Sequence, residues 1–403
     1  MIDYNEARKA VFDAARPVGT EEVRLEEVFR RVLAVDIASP RSLPPFDNSA
    51  MDGYALRSAD TAAGSVALRL AGVIPAGTVL VEPVAPGTAV KIMTGAPVPA
   101  GADAVVPRED VREGPEEVIV ARPVAPGANI RRAGEDIRAG EAALAKGTFL
   151  NSAAVGFLAA LGIARVPVSL RPTASVITTG GEIRDVTETL EPGAIYDSNI
   201  HLLRAQIASA GAGLAFAGRA GDDLGTTVAV LRDALRASRI VLTTGGVSMG
   251  DYDLVRDAFE AIGARRVFWK VAQKPGMPLA FYVLDGEEGP RWLFGLPGNP
   301  GAVMILFEEY VRPFLGLLSG RTDFLPEELE VRLFRDVKKK KGRLHFLRVR
   351  IVMRDGEAWA EETGGQGSGL LASMVPVDAL ALAPAEADFL PAGTKVKAHR
   401  VGW

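Results

Sequence analysis

The sequence predicts a multidomain α/β protein built around a doubly wound, mostly parallel sheet. Two observations carry this prediction. Between residues 173 and 322, short apolar strands such as ASVITT and RIVLTT alternate with helical segments, which is the pattern of a parallel sheet with helices on both faces. Before and after this region, short alternating pieces separated by Pro and Gly are typical of small β domains. A single continuous fold is therefore not expected.

In chain order, four domains are predicted. The apolar residues of MIDYNEARKAVFDAARPV and of EEVRLEEVFRRVLAVDI recur near helical spacing, and NSAAVGFLAALG has Asn151 or Ser152 to cap a helix. These segments predict a helical linker domain. The pieces VALRLAGVI and EEVIVARPV predict a β-rich second domain, and RLHFLRVRIVM belongs to a C-terminal β domain like a barrel. The predicted domains are residues 1–40 with 140–172, 41–139, 173–322 and 323–403.

The composition limits the kind of metal site that the protein can hold. The 403 residues include no cysteine, which excludes disulfides and thiolate–metal sites. With only three histidines, a zinc site of the usual type is not expected. A bound metal should therefore be a hard cation held by carboxylates.

Charge and hydropathy limit the partners. The formal net charge of −4 disfavours a general nucleic-acid binder, and no apolar run approaches the roughly 18 residues of a membrane helix. The N-terminus lacks the basic start and apolar centre of a secretory signal. A cytoplasmic protein with no nucleic-acid or membrane partner is expected. The one basic run, Lys338–Lys341, is interpreted as a solvated edge strand, where lysines discourage association between strands.

The segment IVLTTGGVSMGDYD, residues 240–253, predicts a ligand site. It has the pattern of a buried strand that delivers a loop into a crevice at its carboxyl end. The glycines permit positive φ and let a ligand approach the backbone N–H groups, and acids follow. One such loop is often only a turn, but a near copy at residues 174–183 favours a site for a phosphorylated small molecule. The candidate residues of the two loops are Glu182, Gly245, Gly246, Ser248 and Asp253.

Two further motifs are expected at the same edge of the sheet. In WKVAQKPGMPLAF, Lys270 and Lys274 are four residues apart, so both ammonium groups can reach one anion; a pair of surface lysines beside a turn is the alternative. GLPGNP is a rigid loop directly before a long helix, with a proline suited to the first helical turn. A helix N-terminus at this place favours an anion. The candidate residues of this loop are Pro297, Gly298, Asn299 and Pro300.

The loop PPFDNSAMDGYAL concentrates polar side chains, including Asp47 and Asp52. Asx turns explain such a loop, and this is the favoured interpretation of the loop alone. Thr94 lies in a similar tight loop within IMTGAPVPAGADAVVP, and RRAGEDI adds Arg131 and Arg132. Spacing alone does not join these loops to the sheet domain.

Taken together, the motifs resemble those of the MoeA family, the molybdenum-insertion proteins of molybdenum-cofactor synthesis, which includes the E-domain of gephyrin. The matching segments occur in the family's order and extend from about Pro44 to Ser368. They are PPFDNSAMDGYA, KIMTGAPVPAGADAVVP, GANIRRAGEDI, YDSN, TTGGVSMGDYD, KPGMP, GLPGNP and QGSG.

The resemblance implies a homodimer of elongated four-domain subunits with the active site between them. The sheet domain of one subunit would bind the pterin, and the second domain of the other would complete the cleft. The family transfers molybdenum from molybdate to adenylylated molybdopterin and releases AMP, with a divalent cation, usually Mg²⁺. Implied partners are molybdopterin adenylyltransferase and molybdoenzyme maturation factors. The residues implied as catalytic are Asp52, Thr94, Glu182, Asp222, Asp253, Lys270 and Lys274.

The resemblance also implies separate roles within this cleft. Asp222 and Asp253 would hold the metal across the phosphates of the nucleotide. Lys274, Arg343 and Ser368 would receive molybdate, because ammonium, guanidinium and hydroxyl donors suit a tetrahedral dianion. The dithiolene ligands belong to the pterin, which is consistent with a chain that has no cysteine.

Two positions depart from the family pattern. Many members have lysine where this chain has Met277, and commonly an acid where it has Gly181. Molybdopterin adenylyltransferase is an alternative function, but that enzyme needs only the sheet domain, so the flanking segments disfavour it. A scaffold related to gephyrin is another alternative, disfavoured by the acids and lysines that the chain retains.

Overall fold

The computed structural model describes residues 1–75, 77–78, 80, 82–246 and 254–402. Its first 172 residues form short strands and two helices. They are α1 (Tyr4–Asp13), β1 (Thr20–Arg24), β2 (Ile37–Ala38), β3 (Asn48–Ser49), β4 (Gly53–Leu56), β5 (Val66–Ile74), β6 (Thr88–Ile92), β7 (Ala104–Pro107), β8 (Val111–Glu113), β9 (Glu117–Val120), β10 (Ile130–Arg131), β11 (Ala142–Leu144), α2 (Ser152–Ala160) and β12 (Arg165–Ser169).

The second domain is β-rich, as predicted. Six of its strands form one sheet in the order β7-β4-β6-β5-β9-β8. Successive residues of β4 face opposite sides, so that Tyr54 and Leu56 enter one apolar cluster and Ala55 enters another. Both faces of this small sheet are therefore covered.

The prediction of a second helix between residues 20 and 40 is wrong. This segment forms strand β1, which pairs antiparallel with β12, and then a 3₁₀ turn at Leu25–Glu27. Val28 and Leu33 pack against Leu158 of α2 in one apolar cluster. The apolar residues of this segment recur at helical spacing, but a strand buries the same side chains. Pairing with β12 also satisfies the backbone hydrogen bonds of β1, so tertiary contacts override the local preference for a helix. The linker domain is thus short antiparallel pairs with one helix, α2, and α1 packs on the sheet domain instead.

The sheet domain begins at β13 and ends with a long irregular helix, in which a π-helical turn, Phe307–Val311, joins α6 to α7. Its elements are β13 (Thr173–Thr179), β14 (Ile183–Arg184), β15 (Ile195–Tyr196), α3 (Ser198–Ser209), β16 (Gly213–Ala220), α4 (Leu224–Ala237), β17 (Ile240–Thr244), α5 (Leu254–Ala261), β18 (Arg265–Trp269), β19 (Gln273–Lys274), β20 (Ala280–Leu284), β21 (Arg291–Leu296), α6 (Pro300–Leu306) and α7 (Arg312–Leu318).

The central sheet is doubly wound and mostly parallel, which confirms the predicted fold class. Its strand order is β16-β13-β17-β21-β20-β18, with β16, β13, β17 and β21 parallel. Ile240 and Leu242 of β17 pack with α3 and α6, whereas Val241 packs with α4 and α5. The strand order reverses between β13 and β17, so their carboxyl ends open a crevice of the kind that binds ligands in such sheets. Over the described ranges, no helix has the length and apolar character needed to cross a membrane.

The C-terminal region contains a closed five-stranded barrel, β24-β25-β22-β28-β26, as predicted. Strand β19 of the sheet domain joins it in parallel, with Gln273 opposite Leu344 and Lys274 opposite His345. Of the basic run, only Lys338 lies in a strand, β23, and the next three lysines belong to the loop that follows. The elements are β22 (Glu328–Leu333), β23 (Val337–Lys338), β24 (Leu344–Arg354), β25 (Glu357–Glu362), β26 (Ala379–Ala383), β27 (Phe389–Leu390) and β28 (Lys395–Arg400).

A buried polar cluster joins three parts of the chain. Glu309, only 1% exposed, lies in the π-helical turn and accepts a hydrogen bond of 2.5 Å from the Tyr4 hydroxyl of α1. Its other carboxylate oxygen lies 2.9 Å from Nδ1 of His399 in β28. Burial and the Glu309 carboxylate both raise the pKa of Tyr4, so its hydroxyl remains a donor. This cluster fixes the N-terminal helix and the barrel against the sheet domain.

Replacing Tyr4 by Phe should lower the stability of the protein. The change leaves the buried Glu309 carboxylate without one of its donors, which we expect to cost about 1–3 kcal/mol. Calorimetric melting would show this as a lower melting temperature. Tyr196→Phe is the matched control, since Tyr196 is 44% exposed, and should change the free energy of unfolding by less than about 0.5 kcal/mol. Equal melting of Tyr4→Phe and the control would contradict a stabilising role for the cluster.

Candidate active site

A cleft of about 990 Å³ lies at the carboxyl ends of β13, β17 and β21. Its place agrees with the crevice expected where the strand order reverses. The two glycine-containing loops and the loop before α6 form its walls, so the structure brings together motifs from three parts of the sequence. The predicted residues that line this cleft are Glu182, Asp222, Gly245, Gly246, Pro297, Gly298, Asn299 and Pro300.

The two glycines after β17 are required by close packing. Gly245 has φ +87°, and a Cβ atom there would lie 2.7 Å from the carbonyl oxygen of Thr179. Gly246 has φ +62°, and a Cβ atom there would lie 2.8 Å from Cγ2 of Val255. Because both positions combine left-handed φ with these contacts, they exclude side chains. Gly245 and Gly246 therefore present bare backbone to the cleft.

Three acidic side chains line the cleft, and those of Glu182 and Asp222 remain available to a ligand because both oxygens of Asp197 already accept hydrogen bonds from Thr178 and Ile200. Oδ2 of Asp222 accepts a hydrogen bond of 2.9 Å from the backbone N–H of Gly181. A Cβ atom at Gly181 would lie 2.4 Å from this oxygen, so glycine at that position permits the bond. Among the described residues, no group of three or more acidic, His or Cys side chains is arranged to hold a metal alone. Two carboxylates suit Mg²⁺, which is commonly bound by one or two carboxylates together with water and substrate phosphates.

Two residues of the YDSN segment shape the cleft, although sequence reasoning assigned them no role. Asp197 accepts hydrogen bonds from the Thr178 hydroxyl at 2.6 Å and from the N–H of Ile200 at 3.0 Å. Asn199 donates to the Gly298 carbonyl at 2.8 Å. Both side chains are buried, so they hold α3 against the ends of β13 and β21. An Asp directly before a helical pattern was the available signal, since Asp is a preferred N-cap.

A smaller cavity of about 210 Å³, here called the oxyanion cavity, adjoins the cleft and shares Pro297 and Asn299 with it. It lies where the sheet domain meets the barrel. Lys274, Arg343 and Ser368 all line it, as does Met277. The structure thus brings together two cationic side chains and a hydroxyl, a set of donors that suits a tetrahedral oxyanion.

Gln273 holds one wall of the oxyanion cavity in shape. Its side chain is fully buried and accepts a hydrogen bond of 2.5 Å from the Tyr310 hydroxyl. Its Nε2 lies 3.4 Å from the Pro275 carbonyl oxygen and 3.3 Å from that of Gly276. The amide therefore fixes the loop that follows Lys274. A polar residue between two apolar strands gave no signal for this role in the sequence.

Arg348 holds another wall. It is 1% exposed, and its guanidinium donates to the carbonyl oxygens of Gly365 at 2.5 Å and Gly367 at 2.9 Å. These bonds fix the loop that carries Ser368. Burial lowers the pKa of Arg348, which reflects the desolvation of its charge.

Other predicted residues lie apart from the two cavities. Nζ of Lys270 is 3.8 Å from the centroid of the Trp269 ring, and Lys270 is not among the residues lining either cavity. Asp52 and Thr94 meet in the second domain, where Oδ1 of Asp52 accepts from the Thr94 N–H at 2.7 Å and from its hydroxyl at 2.8 Å. These bonds lower the pKa of Asp52. Ser248 and Asp253 lie outside the described residues.

His345, beside Lys274 in the β19–β24 pairing, has an unusual pKa. Burial is the largest cause, and Lys339, Lys274 and Arg343 add repulsion; together they lower the pKa of His345 from 6.5 to about 4. The imidazole is therefore neutral at physiological pH. Its low pKa reflects the concentration of positive charge at this junction.

Comparison with known proteins identifies relatives along the whole chain. Residues 2–162 match the family model of the MoeA N-terminal region (domains I and II), residues 175–316 that of a probable molybdopterin-binding domain, and residues 330–401 that of the MoeA C-terminal region (domain IV). A molybdopterin molybdenumtransferase 2 of Mycobacterium tuberculosis is 38% identical over 86% of this chain and 87% of its own length.

Two further relatives extend over nearly all of the chain. A molybdopterin molybdenumtransferase of Staphylococcus aureus is 32% identical over 98% of this chain and 94% of its own length. The crystal structure of a molybdopterin biosynthesis moeA protein from Pyrococcus horikoshii OT3 aligns over 100% of both chains with 31% identity and a TM-score of 0.83.

The low pKa of His345 predicts a loss of stability in mild acid. Because the folded protein holds this imidazole neutral down to about pH 4, the unfolded chain binds more protons between there and pH 6.5. The contribution of His345 to stability is complete above pH 6.5 and is lost as the pH falls toward 4. In His345→Gln, melting temperature should therefore fall less between about pH 7 and pH 5 than in the parent protein. The matched change at exposed His201 should leave the parent's pH dependence intact, and an equal effect of both changes would contradict the assignment.

Proposed function

The chain belongs to the MoeA family, and we propose that it inserts molybdenum from molybdate into adenylylated molybdopterin with release of AMP. One observation carries this proposal. A cleft with bare glycine backbone and the carboxylates of Glu182 and Asp222 adjoins a cavity lined by Lys274, Arg343 and Ser368. The first suits a phosphorylated pterin and the second a tetrahedral oxyanion, so both substrates can be held side by side.

In the cleft, the residues of the chain bind and orient the nucleotide. The backbone after β17, at Gly245 and Gly246, can approach the phosphates closely because no side chains intervene. Asp222 is held by the Gly181 N–H, and Glu182 lies on the same wall. Cleavage of a pyrophosphate bond depends mainly on positioning and on neutralising charge, so residues fixed in this way meet its requirements.

The proposed cofactor is Mg²⁺. Asp222 and Glu182 are the carboxylates of the described residues that would hold it, and the resemblance to the family assigns Asp253 to the same role. When bound, Mg²⁺ neutralises charge on the phosphates that the cleavage separates.

In the oxyanion cavity, Lys274 and Arg343 provide the charges that balance a molybdate dianion, and Ser368 provides a hydroxyl donor. Gln273 and Arg348 keep the two loops in place, so these donors need little rearrangement on binding. Met277 occupies the position where many members have lysine, which leaves this cavity with one cation fewer.

We also propose that the enzyme is a homodimer whose active site lies between subunits. The observation in favour is the location of Asp52 and Thr94, which are joined by hydrogen bonds and exposed on the second domain. Their counterparts in a second copy would complete the cleft. The proposal extends to a cytoplasmic enzyme that works with molybdopterin adenylyltransferase and with molybdoenzyme maturation factors.

The direct test is AMP release from adenylylated molybdopterin upon addition of molybdate and Mg²⁺. Asp222→Asn should lower the rate about 100-fold or more, because a charged oxygen facing the phosphates is lost. Asp223→Asn is the matched control: Asp223 caps α4 through Thr226, and Asn is an equally good cap, so the rate should be retained. Tight pterin binding without any molybdate-dependent release would favour a carrier or scaffold instead.

Mixed subunits test the shared active site. Asp52→Asn and Asp222→Asn should each be nearly inactive alone. When the two variants are unfolded and refolded together, half of the dimers are mixed and each mixed dimer has one intact site, so about a quarter of the parent activity should return. Parent protein treated in the same way controls for refolding. Failure of the mixture to regain activity, with dimers present by light scattering, would rule out a site formed between subunits.

A further inference from the structure

A third cavity, of about 730 Å³, lies between the end of β19 and the barrel domain. We call it the basic cavity because its wall carries more cations than acids. Two acidic side chains, Asp336 and Glu362, oppose five cationic ones. The cations are Lys274, Lys338, Lys339, Lys340 and Arg343.

Three cations of this wall form no ion pair with any residue that the structure describes, although Asp336 and Glu362 line the same wall and Glu386 and Asp388 lie near Lys339. Within the described ranges, Lys338, Lys340 and Arg343 take part in no ion pair, and the amine of Lys339 donates to the Arg343 carbonyl at 3.0 Å. Lys341, the last residue of the run, does pair with Asp388, at 3.4 Å, and is not in the cavity wall. The wall of the basic cavity therefore carries an excess of positive charge.

The three cavities adjoin one another and share wall residues. The basic cavity shares Lys274, Arg343 and Gln366 with the oxyanion cavity. The oxyanion cavity in turn shares Pro297 and Asn299 with the cleft. The oxyanion cavity therefore lies between a cationic chamber on the barrel side and the proposed nucleotide cleft.

We propose that the tetrahedral oxyanion substrate reaches the oxyanion cavity through the basic cavity, and not through the cleft. This inference rests on the proposed function. A bound nucleotide would fill the cleft, and its phosphates would repel an arriving dianion, whereas the basic cavity attracts one. Its volume of about 730 Å³ far exceeds the size of an oxyanion, so it acts as an antechamber that collects the ion and does not bind it tightly.

In this path, Lys338 and Lys340 attract the oxyanion into the basic cavity. Other groups, in the oxyanion cavity, hold the ion for transfer. Steering by surface charge changes the rate of encounter, and salt screens it. The loss of these two charges should therefore raise the molybdate concentration that gives half-maximal rate, while the rate at saturating molybdate stays the same.

The experiment measures AMP release by the Lys338→Gln/Lys340→Gln double variant over a range of molybdate concentrations at low ionic strength. We expect kcat/KM for molybdate to fall about three- to tenfold with kcat unchanged, and the difference to shrink in roughly 0.5 M KCl. The matched control is Lys395→Gln/Lys397→Gln. It removes the same charge from β28 of the same barrel, where the lysines pair with Glu330 and Glu328. This control should keep the parent value of kcat/KM.

The outcomes separate the two proposals. A double variant with the parent's kcat and kcat/KM would overturn the path through the basic cavity and leave the proposed function intact. A fall in kcat at saturating molybdate would also overturn it, because the lysines would then act in the transfer itself. Equal losses of kcat/KM in the double variant and in its control would also overturn the path, because the effect would then come from the net charge of the protein and not from the position of the two lysines. Absence of AMP release from the parent enzyme would instead remove the proposed function, and this inference with it.

Discussion

The pairing of β19 with β24 is the constraint on which the candidate active site depends. Two residues of β19 pair with the first two residues of β24 and place Lys274 next to His345, so that Lys274 and Arg343, distant in sequence, line one cavity. A pairing this short gives little stability by itself. The buried amide of Gln273 adds stability to this junction, since it forms hydrogen bonds with Tyr310 on one side and with the following loop on the other.

The same junction depends on a second buried cluster, around Glu309. A buried carboxylate is costly unless it is hydrogen-bonded, and here Tyr4 and His399 provide the partners. These partners come from the two ends of the chain. Tyr4 also packs against Tyr310, whose hydroxyl binds Gln273, so the docking of the N-terminal helix is linked to the wall of the oxyanion cavity.

The parts of the fold that could be predicted from the sequence are those marked by a repeating or local pattern of residues. Alternation of strands and helices identified the doubly wound sheet, and glycines followed by acids identified its carboxyl edge. Residues 20–40 were mispredicted because helical spacing and a strand that pairs with β12 bury the same apolar residues. The roles of Gln273 and Arg348 were not predictable, since each depends on contacts with residues far away in sequence.

The site recognises its two proposed anions in different ways, and the difference follows from the domains that supply the donors. In the cleft, rigid backbone at Gly245 and Gly246 suits a large ligand that must be placed in one orientation. In the adjoining cavities, Lys274 and Arg343 act through charge on longer side chains, which suits a small and symmetric ion that needs no orientation. A sheet edge alone can provide the first kind of recognition. The second combines Lys274 of the sheet domain with Arg343 of the C-terminal domain, at the place where β19 joins the barrel.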